Sequence, residues 1–383
     1  QPYVEEFWEE FGRQIRTDGS HEENSASYHM VVCRDALHLA ILARRVGKPA
    51  SAACHMVLEK GLDWLSAVLV PEGGAFRAPL VNDSVRGYPC TASSLMKLGS
   101  AYFGRGDLKY LAGSDDIDDL RWWLGSSELE AYTQLEPHEP RELGAVFEAS
   151  GYAVMRGGWR ADSDYMLFDG GPIGPDHIPG HAHADTLSVI IAARGQLRLA
   201  DPGVYTYRQG PWRDHFRSTM AHNTVTVDGE NQSEVWSAFR VARRANATIE
   251  RWTENRSIAA SHDGYRRLAH PVTHEREATY LGPGRWRLVD RLESDGEQHR
   301  YTFTFQFSTS AMAVSCTRDS AEVTFSDGVT ARLVFESASP LELTSTTGHV
   351  SESWGELDEA PCLRVELDTD ARLATTTTII TID

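Results

Sequence analysis

The stretch His299-Arg300-Tyr301-Thr302-Phe303-Thr304-Phe305-Gln306-Phe307 alternates aromatic and polar residues almost without fault. Side chains along a β-strand point to opposite faces in turn, so this pattern reads as a half-buried antiparallel strand. It belongs to a second half of the chain, from about residue 145, in which period two dominates. Further strand-like runs fall at 151–156, 164–169, 186–193, 223–228, 272–280, 285–293, 321–325, 331–336 and 363–368, separated by Gly, Asp and Asn.

The first half has a different period. Pro2 to Ile15 opens with Pro and acidic residues, as a helix N-terminus does. Over residues 26–47, Val32, Ala36, Leu39, Ala43 and Val46 mark one helix face, and Gly47-Lys48-Pro49 stops it. A second apolar helix is expected at roughly 49–70, then a Gly/Pro-rich loop at 71–90, then helices near 90–104 and 115–125. Long helices with short turns suggest stacked αα-hairpins. Residues 127–145 are acidic, contain proline and lack a clear period, so the boundary is expected there. The expectation is an α+β chain: helical hairpins over 1–140, then stacked antiparallel sheets over 141–383. No internal repeat interrupts it, and low complexity is confined to Thr375–Thr378.

The formal charge of −18 argues against broad nucleic-acid binding and against docking on anionic membranes. An anionic substrate would need a local basic patch. No apolar run approaches the roughly 18 residues that span a bilayer. Residues 1–16 carry Glu5, Glu6, Glu9 and Glu10 and do not read as a signal peptide, although a chain beginning at Gln1 is compatible with a removed leader. The Cys residues at 33, 54, 90, 316 and 362 include no C-x-x-C pair and suggest neither a disulfide scaffold nor a thiolate metal site.

Three ligand-type residues sit where apolar, β-prone runs start or end: His183 in Gly180-His181-Ala182-His183-Ala184-Asp185, Asp201 in Ala200-Asp201-Pro202-Gly203, and His222 in Ala221-His222-Asn223-Thr224. Two imidazoles and a carboxylate suit a divalent transition metal, zinc above all. Any one of them alone would read as an ordinary hydrogen-bonding residue. Asp185 is a fourth ligand, a partner orienting a histidine, or simply a turn residue. Between Tyr205 and Arg217 lie Arg208, Arg213, His215 and Arg217, a basic run in an acidic protein. It reads either as an anion-binding wall or as a set of salt bridges, for instance to Asp214. Asn24 reads as a helix N-cap. His29 and His38 read as packing residues. Trp122-Trp123 could stack on sugars, with core packing the default.

Several stretches together resemble the heparinase II/III-like family of polysaccharide lyases. They are Asp18-Gly19-Ser20 through Tyr28-His29, Gly170-Gly171-Pro172, Gly180 through Asp185, Leu199 through Tyr205, and Phe216-Arg217-Ser218-Thr219 through Val225. The block 165–230 is the specific part. The resemblance implies an α/α toroid, often incomplete, joined to a C-terminal antiparallel β-sandwich. It implies β-elimination on uronic-acid-containing polysaccharide, a structural zinc beside the cleft, and a secreted or periplasmic setting. Carried over, the metal ligands are His183, Asp201 and His222, and the substrate-facing histidine is His181. The tyrosine after the metal Asp is Tyr205, with Tyr207 as second choice and both beside the substrate. Asn24 would hold the substrate carboxylate. In alginate-lyase-like members that Asn is followed by His, whereas Ser25 follows here. A further tyrosine expected after the second long helix pair corresponds best to Tyr88.

β-Elimination removes the proton α to the uronate carboxylate and expels the sugar at O4. Donors on the carboxylate let charge build up in the transition state, and a tyrosine with a pKa near 10 needs nearby positive charge to serve as base. The basic run Arg208, Arg213 and Arg217 is the expected source. Two other readings stand beside the lyase. A metal-dependent hydrolase of barrel type would need strands alternating with helices, which 184–310 lacks. A non-catalytic carbohydrate-binding or cell-envelope module is favoured by the missing Asn-His pair.

Overall fold

The computed structural model describes residues 2–114 and 116–383, with the backbone alone at Pro2. The chain begins with helices α1 (Pro2–Gln14), α2 (Ala26–Arg45), α3 (Ala52–Val68), α4 (Ala92–Phe103) and α5 (Gly106–Ala112). The helix expected over 115–125 is only the single turn α6 (Asp118–Arg121), and Asp115 lies outside the described residues. Helix α7 (Ser126–Gln134) occupies part of the stretch read as aperiodic.

Helix α2 buries a different face from the expected one. Met30, Cys33, Ala36, Leu37, Ala40 and Ile41 are buried, Val32, Leu39 and Ala43 are half-buried, and Val46 is 71% exposed. Small residues decide this. At Gly61 of α3 an added Cβ would come within 2.9 Å of Cys33 Sγ, so the two helices approach where neither carries bulk. His29 faces the same seam and its Nε2–H donates to the Gly61 carbonyl at 2.8 Å. It is a packing residue.

The second half forms antiparallel sheets. A five-stranded sheet runs 145–147, 152–156, 165–169, 189–193 and 196–199 in sequence order. One face, with Tyr152, Val154, Tyr165, Leu167, Ile190 and Ala192, joins the helical core. The other, with Met155, Met166, Phe168, Val189 and Ile191, joins the core built by the remaining sheets. Those sheets have eight and four strands, and Phe305 of the smaller meets Phe335 of the larger with ring centroids 5.6 Å apart. Helices, five-stranded sheet and remaining sheets are therefore layers of one packed body.

The alternating strand, His299–Gln306, is central rather than half-buried. It pairs with Asp358–Thr369 on one side and Val225–Val227 on the other. Tyr301, Phe303 and Phe305 enter the core, and the polar residues Thr302, Thr304 and Gln306 are buried too. They lie under loops: Thr304 Oγ1 donates to the Met220 carbonyl at 3.4 Å, and Ala200 N–H donates to the Gln306 carbonyl at 2.9 Å. A buried polar group must be paired, so this polar face is a docking strip for the segments that carry Asp201 and His222. The run Thr375–Thr378 belongs to strand Leu373–Ile382 of the large sheet.

Burial holds His29 neutral, with its pKa pushed down to about 3. An unfolded-state value near 6.5 lies above the folded one, so the unfolded chain binds the extra proton and stability is lost as pH falls below about 6.5. His29→Gln keeps a donor for Gly61 and cannot titrate. The destabilisation this variant shows at pH 7 should shrink by about 1.4 kcal/mol per pH unit below about 6.5. Urea midpoints of both proteins at pH 7, 6 and 5 test it. A constant difference would mean that His29 is not buried neutral.

Candidate active site and metal centre

Strand ends and one loop bring the three sequence-chosen ligands together. Asp201 follows strand Gln196–Leu199, His222 precedes strand Val225–Val227, and His183 lies in the loop before strand Val189–Ala193. All three are buried, and their ligand atoms lie within 4.8 Å of one another. His183 Nδ1 and His222 Nε2 are 3.2 Å apart, and His222 Nε2 is 3.9 Å from Asp201 Oδ2. The backs of the rings are occupied. His222 Nδ1–H donates to the Ser218 carbonyl at 2.7 Å, and His183 Nε2–H donates to Asp83 Oδ1 at 3.0 Å.

Those partners fix the tautomers. A carbonyl and an ionised carboxylate only accept, so the outer nitrogens carry the hydrogens and the inner nitrogens face each other as bare lone pairs. Burial pushes both imidazoles down to about 4, so neither holds a second proton at neutral pH. A second buried pair shows the contrast. His262 Nδ1 accepts from Gly264 N–H at 3.1 Å, so its Nε2–H donates to His274 Nδ1 at 3.3 Å. His274 Nε2–H then donates to Asp290 at 2.7 Å. That pair is a closed hydrogen-bond chain, whereas His183 and His222 lack a proton between them. Two nitrogens on a tetrahedral zinc, each about 2.0–2.1 Å from it, sit about 3.3 Å apart. Around them burial drives up the pKa values of the Asp169, Asp185 and Asp201 carboxyls, repulsion from Asp185 raises Asp169 and Asp201 further, and Asp185 Oδ2 has no partner. The donor set, its spacing and its uncompensated negative charge fit a divalent cation.

Asp83 ties this centre to the rest of the site. Burial opposes its charge, but hydrogen bonds from His183 and Arg213 hold its carboxyl below the usual range. Arg213 grips both oxygens, at 2.5 and 2.7 Å, and its Nε–H donates to the Ala238 carbonyl at 2.9 Å. Arg217 donates to the Ala182 and Ser237 carbonyls at 3.0 and 2.9 Å. Both arginines are buried. They are therefore not the expected anion-binding wall, and the carboxylate engaged is Asp83 rather than Asp214. They brace the hairpin 234–242. Arg208 alone of the three is exposed.

Two residues before His183, His181 gathers a cluster. Its Nδ1 is 2.5 Å from Glu23 Oε2, its ring stacks on Tyr28 with centroids 3.9 Å apart, and Tyr207 and Phe239 lie at 5.9 and 6.0 Å. The Tyr28 and Tyr207 hydroxyls are 3.0 Å apart. Burial raises both phenols above their ordinary range. Tyr205 lies apart, with its ring 6.0 Å from Trp212 and 6.4 Å from Phe216. The arginine field expected at Tyr205 falls elsewhere, since Arg213 sits 5.0 Å over the Tyr207 ring. Tyr88 packs edge-on against Trp354, which also meets Tyr207. Beside this cluster opens a cleft of about 770 Å³ lined by Tyr205, Tyr207, Arg208, Trp212 and Trp354.

Asn24 does not reach the cleft as a free donor. It is buried in the left-handed region at φ 55°. Its amide donates to the Pro172 carbonyl at 2.8 Å and its Oδ1 accepts from Arg16 at 2.5 Å. Nor is it the helix cap, since Ser25 caps α2 by accepting from Tyr28 N–H. Asn24 instead ties the helical half to the sheet. Sequence reasoning missed Glu23, Asp83 and Phe239 as members of the site, and took Tyr28 only as part of a resembling stretch. Glu23 is a near neighbour of Asn24 in the sequence, but the chain itself does not reveal that it meets His181 from so far away. Trp122, expected in the core, is 85% exposed, and Trp123 stacks on His38.

The family model described as heparinase II/III-like, C-terminal, matches residues 139–379, and the chain belongs to that family. A search of curated proteins finds no match. Among solved structures, a heparinase III, the BT4657 gene product, superposes with a TM-score of 0.81 at 17% identity, covering 99% of this chain and 55% of that one. The heparan sulfate lyase HepC from Pedobacter heparinus gives 0.78 at 18% identity, covering 99% and 55%. The chain thus spans about half the length of these structures, and the likeness is one of fold.

Arg213 and Asp83 form a buried ion pair, and removing one partner leaves an uncompensated charge. Arg213→Met should cost about 3–5 kcal/mol in urea unfolding, and the double variant Arg213→Met with Asp83→Asn should cost less than Arg213→Met alone. Additive losses would show that the two side chains are not energetically coupled.

Proposed function

We propose that this chain cleaves a uronic-acid-containing polysaccharide by β-elimination, in a cleft lined by a β-sandwich, residues 141–383, beside which an incomplete α/α toroid, residues 1–140, sets Glu23 and Tyr28. The observation that carries the reading is the Glu23–His181–Tyr28–Tyr207 cluster at the mouth of an open, ring-lined cleft. Family membership supports it. The polymer substrate agrees with a secreted or periplasmic setting.

His181 is the base in this reading. Glu23 accepts its Nδ1–H, which leaves the Nε2 lone pair free to take the proton at C5. The C–H electrons form the C4–C5 double bond, the C4–O4 bond breaks, and O4 takes a proton. Tyr207 supplies that proton. Its raised pKa keeps the phenol protonated, which suits an acid and disfavours a base, and Tyr28 hydrogen-bonds its hydroxyl. Tyr205 is assigned to the cleft wall, and Tyr88 backs that wall through Trp354. Arg208 is the cation offered to the substrate carboxylate.

A bound zinc would supply positive charge among Asp169, Asp185 and Asp201 and would cross-link the segments bearing His183, Asp201 and His222. Its role would be structural: His183 as a ligand would fix the loop that presents His181, two residues away.

Protein purified without chelator should hold about one zinc per chain by elemental analysis, and His222→Ala should lose most of it. Chelation should lower the melting temperature, because an ion that binds only the folded state stabilises it. Metal-free wild type that melts unchanged would remove the zinc. Incubation with a panel of uronate polymers should produce the ultraviolet absorbance of an unsaturated uronate, which neither a hydrolase nor a binding module generates. Tyr207→Phe and His181→Ala should each lower turnover on the order of 10²-fold or more with little change in KM, and Tyr205→Phe far less. Full activity in Tyr207→Phe together with a collapse in Tyr205→Phe would reverse the assignment.

A further inference from the structure

Arg156, at the end of strand Tyr152–Arg156, is a buried cation without a counter-ion. It is 1% exposed, and no carboxylate among the described residues pairs with it. Burial pulls its pKa down to about 10, so it stays charged at neutral pH. The rings of Trp159 and Tyr165 lie 4.1 and 4.6 Å from its guanidinium carbon. Its Nη2 donates to the Ala67 carbonyl at 2.6 Å and to the Leu69 carbonyl, at the C-terminal end of α3. The partial negative charge of that helix end offsets part of the cation. It accounts for Nη2 alone. Nε and Nη1 are buried with no hydrogen-bond partner among the described residues. A buried donor left unpaired is costly, and a buried charge without an opposite charge more so.

Arg156 lines a second cavity, of about 250 Å³, formed by residues of α3, α5, the segment 140–147 and the five-stranded sheet. It shares no lining residue with the cleft of Tyr207. Two carboxylates of its wall are already matched: Arg105 holds Asp63 at 2.6 Å and Asp107 at 2.9 Å. Their presence disfavours a doubly charged anion. Arg141 and Glu142 complete the charged lining, and both are exposed. Phe147, Val154 and Trp159 give the cavity an apolar side. Residues 141–144 of the lining are loop, so opening it requires no helix or strand to move. The volume is several times a water's share of about 30 Å³, room for a carboxylate and a small apolar body. We propose that this cavity binds a small organic monocarboxylate, which accepts hydrogen bonds from Arg156 at Nε and Nη1 and rests its body against Phe147 and Trp159. Such a ligand would supply the missing counter-ion and pin the helical half to the sheet. The inference goes beyond the lyase reading and does not depend on it.

The test is calorimetric titration of the full chain at neutral pH and constant ionic strength. Acetate and benzoate are the probes, benzamide is the uncharged counterpart, and chloride is the inorganic control. Benzoate should bind at least about tenfold more tightly than benzamide, which lacks the charge-assisted bond. Chloride, with no body to set against the rings, should bind at least about tenfold more weakly than benzoate. Benzoate should also raise the melting temperature in step with its concentration, because only the folded chain assembles the cavity. Arg156→Lys keeps the charge and a donor for the α3 carbonyls but removes Nε and Nη1, and should weaken benzoate about tenfold or more. No binding of either carboxylate, benzamide or chloride binding as tightly as benzoate, or undiminished affinity in Arg156→Lys would each overturn the inference. Should Arg156→Lys not fold, crystals of the unaltered chain soaked in 4-bromobenzoate decide. Anomalous bromine density in the cavity beside Trp159 supports the site, and its absence there overturns it. None of these readouts involves turnover, so the lyase reading stands or falls separately.

Discussion

One buried carboxylate organises this site. Asp83 has no contact with solvent and is kept ionised by a two-pronged grip from Arg213 and a hydrogen bond from His183. A charge that deep is tolerated only when every oxygen is matched. Matching it has three effects. The His183 tautomer is set, Arg213 is withdrawn from the cleft, and the hairpin 234–242 is braced through Ala238. Phe239, on that hairpin, closes one side of the His181 cluster. The His183–Asp201–His222 cluster and the cleft wall therefore share a support in Asp83.

The same arrangement explains what could be read from the chain and what could not. His183, Asp201 and His222 were legible because each stands near the end of a strand-like run, and the ends of strands from two packed sheets converge here. The alternation from His299 to Phe307 located a strand, but not its burial. Period two distinguishes two faces and cannot tell solvent from a covering loop. Val32, Leu39 and Val46 gave a clean helical stripe, yet α2 buries the neighbouring one. The buried stripe shares Ala36 with it but runs through Cys33 and Ala40, and close approach to Gly61 rewards small side chains over apolar ones.

Arg213 and Arg217 show the limit most sharply. A basic run beside a predicted site looks like a surface for anions. Whether an arginine faces solvent depends on a carboxylate far away in the chain, and nothing near Arg213 announces Asp83. Tyr205 and Tyr207 pose the same problem at shorter range. Both follow Asp201 closely and spacing alone ranks them by resemblance. The preference for Tyr207 comes from Tyr28, whose hydroxyl lies 3.0 Å from it, and from His181, which stacks on Tyr28.

Two histidine pairs of similar spacing finally differ in where their hydrogens go. Between His262 and His274 the outer partners are a backbone N–H on one side and a carboxylate on the other, so one hydrogen remains for the gap. Between His183 and His222 both outer partners are acceptors, a carboxylate and a carbonyl, and both hydrogens are drawn outward. Two lone pairs 3.2 Å apart repel unless a positive centre lies between or beside them. Doubly protonating either ring would need the proton that burial excludes. The nearby Asp201, Asp185 and Asp169 point the same way, because their charges cannot all persist in a buried space without a cation. The identity of the outer hydrogen-bond partners thus decides which of two buried histidine pairs closes on itself as a proton chain and which leaves two lone pairs able to take a cation.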